Sequence, residues 1–282
     1  MNSIYVDIIK KVKWAIIKNG IPMYVNQWQP PTPPDRLESD DDLCRYLSLL
    51  VKAYHSHSFI ICHLSNAAQL ENNPMPKCKW DKLNRIGTII FYHFYGNEKK
   101  DYMIKLVRHQ INQWKKHHIA GLIIDLRKHY GGNMYPAIES LVDILGKTTL
   151  FAFSNTPALF DNHVWLTLDQ TIKPNRKFLT ADIAFRHPIA IIVSRHTGSS
   201  GEFVACCFYG RPNVKIFGYN TDKTAGYLSA NMGININNDI ELVLTVNLTT
   251  TVDGIFHDDE RLTVDMRTKK PITEAKKWIL DV

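Results

Sequence analysis

The chain has 282 residues, 45% apolar and 22% charged, with a formal charge of +7 at pH 7, an ordinary globular composition with room for one large or two small domains. Its basic residues fall in short scattered clusters such as Lys10-Lys11 and Lys115-Lys116-His117-His118, without interleaved stacking aromatics, so no nucleic-acid partner is expected. The five cysteines (Cys44, Cys62, Cys78, Cys206, Cys207) form no C-x-x-C pair, which fits reduced thiols and gives no zinc site.

The start, Met1-Asn-Ser-Ile-Tyr-Val-Asp, has no basic segment followed by an apolar core, and no apolar run approaches the ~20 residues that span a bilayer. A cytoplasmic protein without a membrane partner is expected. Apolar residues at helical spacing predict a helix over 4–18, ended by Asn19-Gly20 as a left-handed cap. Pro30 to Pro34 reads as a stiff connector. Ser39-Asp-Asp-Asp42 starts a second helix, which runs into the extended segment Tyr54-His-Ser-His-Ser-Phe-Ile-Ile61.

Residues 64–86 read as loop, and 87–94 as a strand. An amphipathic helix over 101–116 feeds a near-continuous apolar strand, Ala120 to Leu126, of the kind buried on both faces. Gly131-Gly132 reads as a tight turn before a helix from Pro136 to about Leu145. Strands follow at 149–153 and 164–168. Ile189-Ala-Ile-Ile-Val is a buried strand, and an apolar helix runs from Ser199 and Ser200 to Gly210. A short strand at 214–217, a hairpin over 226–236 and 240–248, and a helix from about Thr273 complete the chain. The alternation predicts an α/β layered core over 61–282, preceded by a small helical subdomain over 1–60.

A serine at a strand-to-helix junction, beside the unpaired amides of a first helical turn, is what acyl transfer requires. Ser199-x-x-Glu202 is equally a capping box in which nothing reacts, and the G-x-S-x-G elbow is absent. Local sequence alone leaves both readings open.

Three separated segments resolve the choice. Gly121-Leu-Ile-Ile-Asp-Leu-Arg-Lys-His-Tyr-Gly-Gly132 resembles the D-L-R-x-N-x-G-G segment of the carboxyl-terminal processing (tail-specific) serine proteases, the family of the tricorn core and the retinoid-binding repeats. Thr197-Gly-Ser-Ser-Gly-Glu202 is similar to that family's nucleophile segment, followed by Thr224-Ala-Gly226 as in its T-A-G branch. Tyr54-His-Ser-His-Ser-Phe59 looks like the D-x-H-S-F segment of the same branch. The resemblance covers roughly residues 40–282 in family order. It implies a crotonase-like α/β fold and a serine peptidase acting on peptides or proteins, with no metal or organic cofactor. Oligomerisation is left open.

By that resemblance Ser199 matches the nucleophile, and His57 the general base, with Ser56 beside it. Ser200 and Gly131 or Gly132 match the oxyanion hole. The segment Val252 to Glu260 places Asp253 as the last acid. Histidine suits a proton shuttle at neutral pH. On local sequence His55 is as good a base as His57, and only the family register separates them. Lys223, twenty-four residues beyond Ser199, is an alternative base if burial lowers its pKa. His129 replaces the family's asparagine. About sixty residues separate His57 from Gly121, which leaves no room for the usual PDZ module. A catalytically weakened binding protein on the same scaffold, or an acyl-thioester enzyme, are the competing functions; no phosphate-cradling glycine loop supports the latter.

Overall fold

A computed structural model describes residues 2–62, 73–146, 149–154, 164–167, 171–172, 184–251, 256–257 and 261–282. In chain order the elements begin with α1 (Ser3–Asn19), α2 (Pro22–Gln27), α3 (Asp40–Lys52), β1 (Phe59–Cys62), β2 (Lys77–Asp81) and β3 (Ile86–Phe94). Next come α4 (Lys100–Lys116), β4 (Gly121–Gly132), α5 (Tyr135–Ser140), α6 (Val142–Leu145), β5 (Thr149–Ser154), β6 (Val164–Thr167) and β7 (Thr171–Ile172). Then follow β8 (Ile189–Ser194), α7 (Ser200–Cys206), β9 (Val214–Tyr219), β10 (Ser229–Asn235), β11 (Ile240–Thr251), β12 (Phe256–His257), β13 (Met266–Thr268) and α8 (Pro271–Asp281). Among the described residues, no helix is long and apolar enough to cross a membrane.

The chain forms two compact units. The first is Met1–Glu71 with Ser154–Ala158 and Ser229–Leu248. The sequence reading ended this subdomain at residue 60; the unit takes in the β10–β11 hairpin as well. The hairpin is needed because α1 and α3 each bury one apolar stripe. Ile8, Val12 and Ile16 of α1 and Leu43, Leu47 and Leu50 of α3 pack with Leu242 and Leu244 of β11. β1 pairs antiparallel with β11, from Phe59 opposite Val243 to Cys62 opposite Ile240. Ser39 caps α3 by accepting the Asp42 N–H at 3.2 Å.

Two local expectations change here. Gly20 is extended at φ −69° rather than left-handed; it is glycine because a Cβ would lie 2.6 Å from the Ile16 carbonyl oxygen. Cys44 and Cys62 form a disulfide that ties α3 to β1, so the expectation of uniformly reduced thiols was wrong. Their partnership across eighteen residues carries no local motif.

The second unit, Asn72–Phe153 with Leu159–Leu228 and Thr249–Val282, holds a six-stranded sheet in the order β13-β9-β8-β4-β3-β2. Four of its five pairings are parallel, and only β2 runs antiparallel, to β3. β2 lies inside the stretch read as loop: Lys77-Cys-Lys-Trp-Asp81 is a short, half-polar edge strand with little periodic signal. One face of the sheet packs Ile89, Ile124, Leu126, Ile191 and Val193 against α4, α5 and α7. The other packs Ile86, Ile123, Ala190, Ile192 and Phe217 against Ala275 and Ile279 of α8. Strands covered on both faces are continuous apolar runs for this reason, and the α/β layered core expected from the sequence is present.

Candidate active site

β4 runs six residues beyond the apolar stretch. Ile90 of β3 faces Asp125, Tyr92 faces Lys128 and Phe94 faces Gly132, so two steps along β3 match three and then four along β4. These bulges turn the strand's end, and Gly131-Gly132 closes the strand instead of forming a free turn. Gly131 has φ +143°, and a Cβ there would lie 3.3 Å from Ser199 Cβ and 3.8 Å from its Oγ. Gly132 instead abuts the Phe94 carbonyl. Of the two glycines matched to the oxyanion hole, Gly131 is therefore the one beside Ser199.

Ser199 is partly exposed between β8 and α7, with φ +51° and ψ −120°. This is a sparsely populated conformation for a residue with a side chain, and it needs surroundings that over-determine it. They are visible. Glu202, fully buried, accepts the Ser199 N–H at 3.0 Å, the Thr224 hydroxyl at 2.5 Å, and the N–H groups of Gly226 at 2.9 Å and Tyr227 at 2.8 Å. Burial pushes its carboxyl above the ordinary range, and the four donors pull the other way. The glutamate thus does reach back to the cap residue, as a capping box requires, but it also fastens the T-A-G segment beneath the loop.

The rest of the loop is tied to β4. Thr197 Oγ1 donates to the Leu126 carbonyl at 2.9 Å, and the Gly198 N–H to the His129 carbonyl at 3.2 Å. Gly201 sits so close to His129 that a Cβ would come within 2.3 Å of its carbonyl oxygen. His129 itself is fully buried, and neither ring nitrogen has a hydrogen-bonding partner among the described residues. Desolvation, with a smaller push from His93, lowers its pKa to about 3, so the ring is neutral at ordinary pH. Ser200 is buried, and no described residue pairs with its hydroxyl.

His57 lies in the other unit and is buried. Its Nδ1 is 2.6 Å from the Ser229 hydroxyl, its backbone N–H donates to His55 Nδ1 at 3.1 Å, and its carbonyl accepts from Asn231 at 3.2 Å. Ser56 is exposed, with its carbonyl held by Lys52. Lys223 is exposed, and its backbone pairs with Thr263. Asp253 lies outside the described residues. Sequence reading missed Ser229, which sits in no motif. It noted Thr224-Ala-Gly226 only as a branch label, whereas Thr224 is a partner of Glu202.

The family model for peptidase family S41 matches residues 85–268, which carry β3, β4, the Ser199 loop and the Thr224 segment. The chain belongs to peptidase family S41. It is 30% identical over 171 residues to the nisin-resistance protein of Lactococcus lactis subsp. lactis, a match over 58% of this chain and 51% of that protein. The chain thus spans about half the length of this relative. Among solved structures, a lipoprotein from Streptococcus agalactiae is similar at a TM-score of 0.68 and 25% identity, covering 95% of this chain and 88% of that one. The photosystem II D1 C-terminal processing protease shares the fold, with a TM-score of 0.62 at 10% identity over 100% of this chain and 97% of that one. The S41 family and the layered fold agree with the resemblance read from the motifs.

Proposed function

We propose that this S41 member is a serine peptidase in which Ser199 attacks the scissile carbonyl to form an acyl-enzyme. His57 takes the hydroxyl proton and returns it to the leaving amine, and water then hydrolyses the ester. The Ser200 N–H and the Gly131 turn would hold the oxyanion. Ser229 would fix the imidazole through Nδ1, the place usually taken by an acid; Asp253 remains the candidate acid of the resemblance. The observation that carries the reading is the backbone of Ser199: φ +51°, beside Gly131 and held by a buried carboxylate. A cap residue with no chemistry to perform has no use for that strain.

The Cys44–Cys62 disulfide favours an oxidising compartment over the cytoplasm first expected, and we propose that the chain works there. The relative's name makes nisin a reasonable first substrate to offer. The test is labelling by a fluorophosphonate probe together with peptide hydrolysis followed by mass spectrometry. Labelling in the native chain and none in Ser199→Ala is expected. A folded native chain that takes no label and cuts no peptide would favour the binding-protein alternative.

A further inference from the structure

α8 packs on Ile86, Ile123, Ala190, Ile192 and Phe217 of its sheet face. Farther along the same face Tyr92, Arg127, Lys128, Tyr130, His196 and Tyr219 surround a cavity of about 370 Å3. Asp125 and Arg127 join it to the end of α8, since both also line a neighbouring hollow with Ile272 and Lys276. The β4 bulge matters here. It turns Arg127 and the adjacent Lys128 to one cavity, where unbroken alternation would send them to opposite faces.

The charged groups are fixed. Arg127 donates from Nε to Asp125 Oδ1 at 2.9 Å and from Nη2 to Oδ2 at 2.7 Å. Asp125 is buried, so it holds the guanidinium as a rigid fork. That pairing consumes one edge of the fork. The Nη1 edge, with its N–H groups, meets no acceptor among the described residues, and the side chain is 30% exposed. The guanidinium carbon lies 5.5 Å from the Tyr219 ring centre, and Lys128 Nζ lies 5.9 Å from that of Tyr92. A cavity with an open guanidinium edge, an ammonium and aromatic walls is built for a carboxylate on an apolar stem.

Its wall is shared with the Ser199 loop. Tyr130 immediately precedes Gly131, His196 stands three residues before Ser199, and their rings meet edge to face at 6.3 Å. We propose that the cavity is a substrate subsite that selects a carboxylate, either an acidic side chain of the peptide or its terminal carboxylate. The subsite deepens the peptidase reading and rests on it.

The test is binding to the Ser199→Ala chain, followed by fluorescence anisotropy with labelled hexapeptides carrying Glu or Gln at each position in turn, each ending in a free acid or an amide. One member of these pairs should bind about tenfold more tightly than its neutral counterpart, as expected for a charged hydrogen bond. Preference for Glu identifies the side chain as the source, and preference for the free acid the terminus. Asp125→Asn/Arg127→Gln, which removes the ion pair as a unit, should abolish the difference. Lys128→Gln, an exposed change that leaves the fold alone, should reduce it about threefold. Equal binding of all pairs, no binding at all, or a preference that survives both variants overturns the subsite. Selective binding by the Ser199→Ala chain without cleavage by the native one would keep the subsite and sink the peptidase.

Discussion

His57 Nδ1 and the Ser229 hydroxyl stand 2.6 Å apart, both buried, one from the turn before β1 and the other from the start of β10. A hydroxyl at Nδ1 can fix the orientation of the imidazole, the role proposed for Ser229. Ser229→Ala should lower kcat about fivefold to tenfold with KM unchanged, the scale of one neutral hydrogen bond. His57→Ala should lower it about 10²- to 10⁴-fold. Steady-state kinetics on one cleaved peptide measures both, and an indifferent His57→Ala variant would remove the base.

Glu202→Gln is isosteric yet should be damaging. All four partners of the carboxylate are donors, and the amide nitrogen of glutamine is a donor too. Two of the four contacts would face a donor, costing about 2–4 kcal/mol of stability. Fluorophosphonate labelling of Ser199 should slow in the same variant as the Ser199 loop relaxes. Chemical denaturation and labelling rates report the two effects, and unchanged values in both would mean that the carboxylate does not hold the loop.

The neutral buried ring of His129 sets an acid limit. Below pH 6.5 the unfolded chain takes up a proton that the folded chain refuses down to about pH 3. Its contribution to stability is therefore complete above pH 6.5 and is lost as pH falls through that window, by up to about 1.4 kcal/mol per pH unit. His129→Asn should flatten the stability profile between pH 6 and 4. Urea unfolding across that range measures it; parallel profiles would place the acid sensitivity elsewhere.

Gly131→Ala meets two obstacles, a φ of +143° and a Cβ 3.3 Å from Ser199 Cβ. Labelling at Ser199 should fall at least about tenfold while the fold survives, because the change lies at the strand's end. Circular dichroism beside the labelling assay separates the two.

Cys44→Ser/Cys62→Ser opens a link across eighteen residues and should cost about 3 kcal/mol. Reductant should lower the melting temperature of the native chain to that of the variant and leave the variant unmoved.

The motifs made the second unit legible because its chemistry needs fixed residue types at short spacing. Gly131, Ser199 and Glu202 all belong to local patterns, and the apolar runs of β4 and β8 announce strands buried on both sides. Contacts made across long separations had no such signal. Ser229 meets His57 across 172 residues, and Cys44 meets Cys62 only because α3 and β1 pack together. Arg127 and Lys128 read as alternating neighbours, and only the bulge, which arises from pairing with β3, brings them to one cavity.

The clasp on Ser199 by Glu202 has an implication for turnover. If Ser199 is the nucleophile we propose, a residue anchored at its own amide, with Thr224, Gly226 and Tyr227 drawn to the same carboxylate, is finished machinery before any peptide arrives. Whatever motion admits a substrate or frees a product must belong to some other part of the chain.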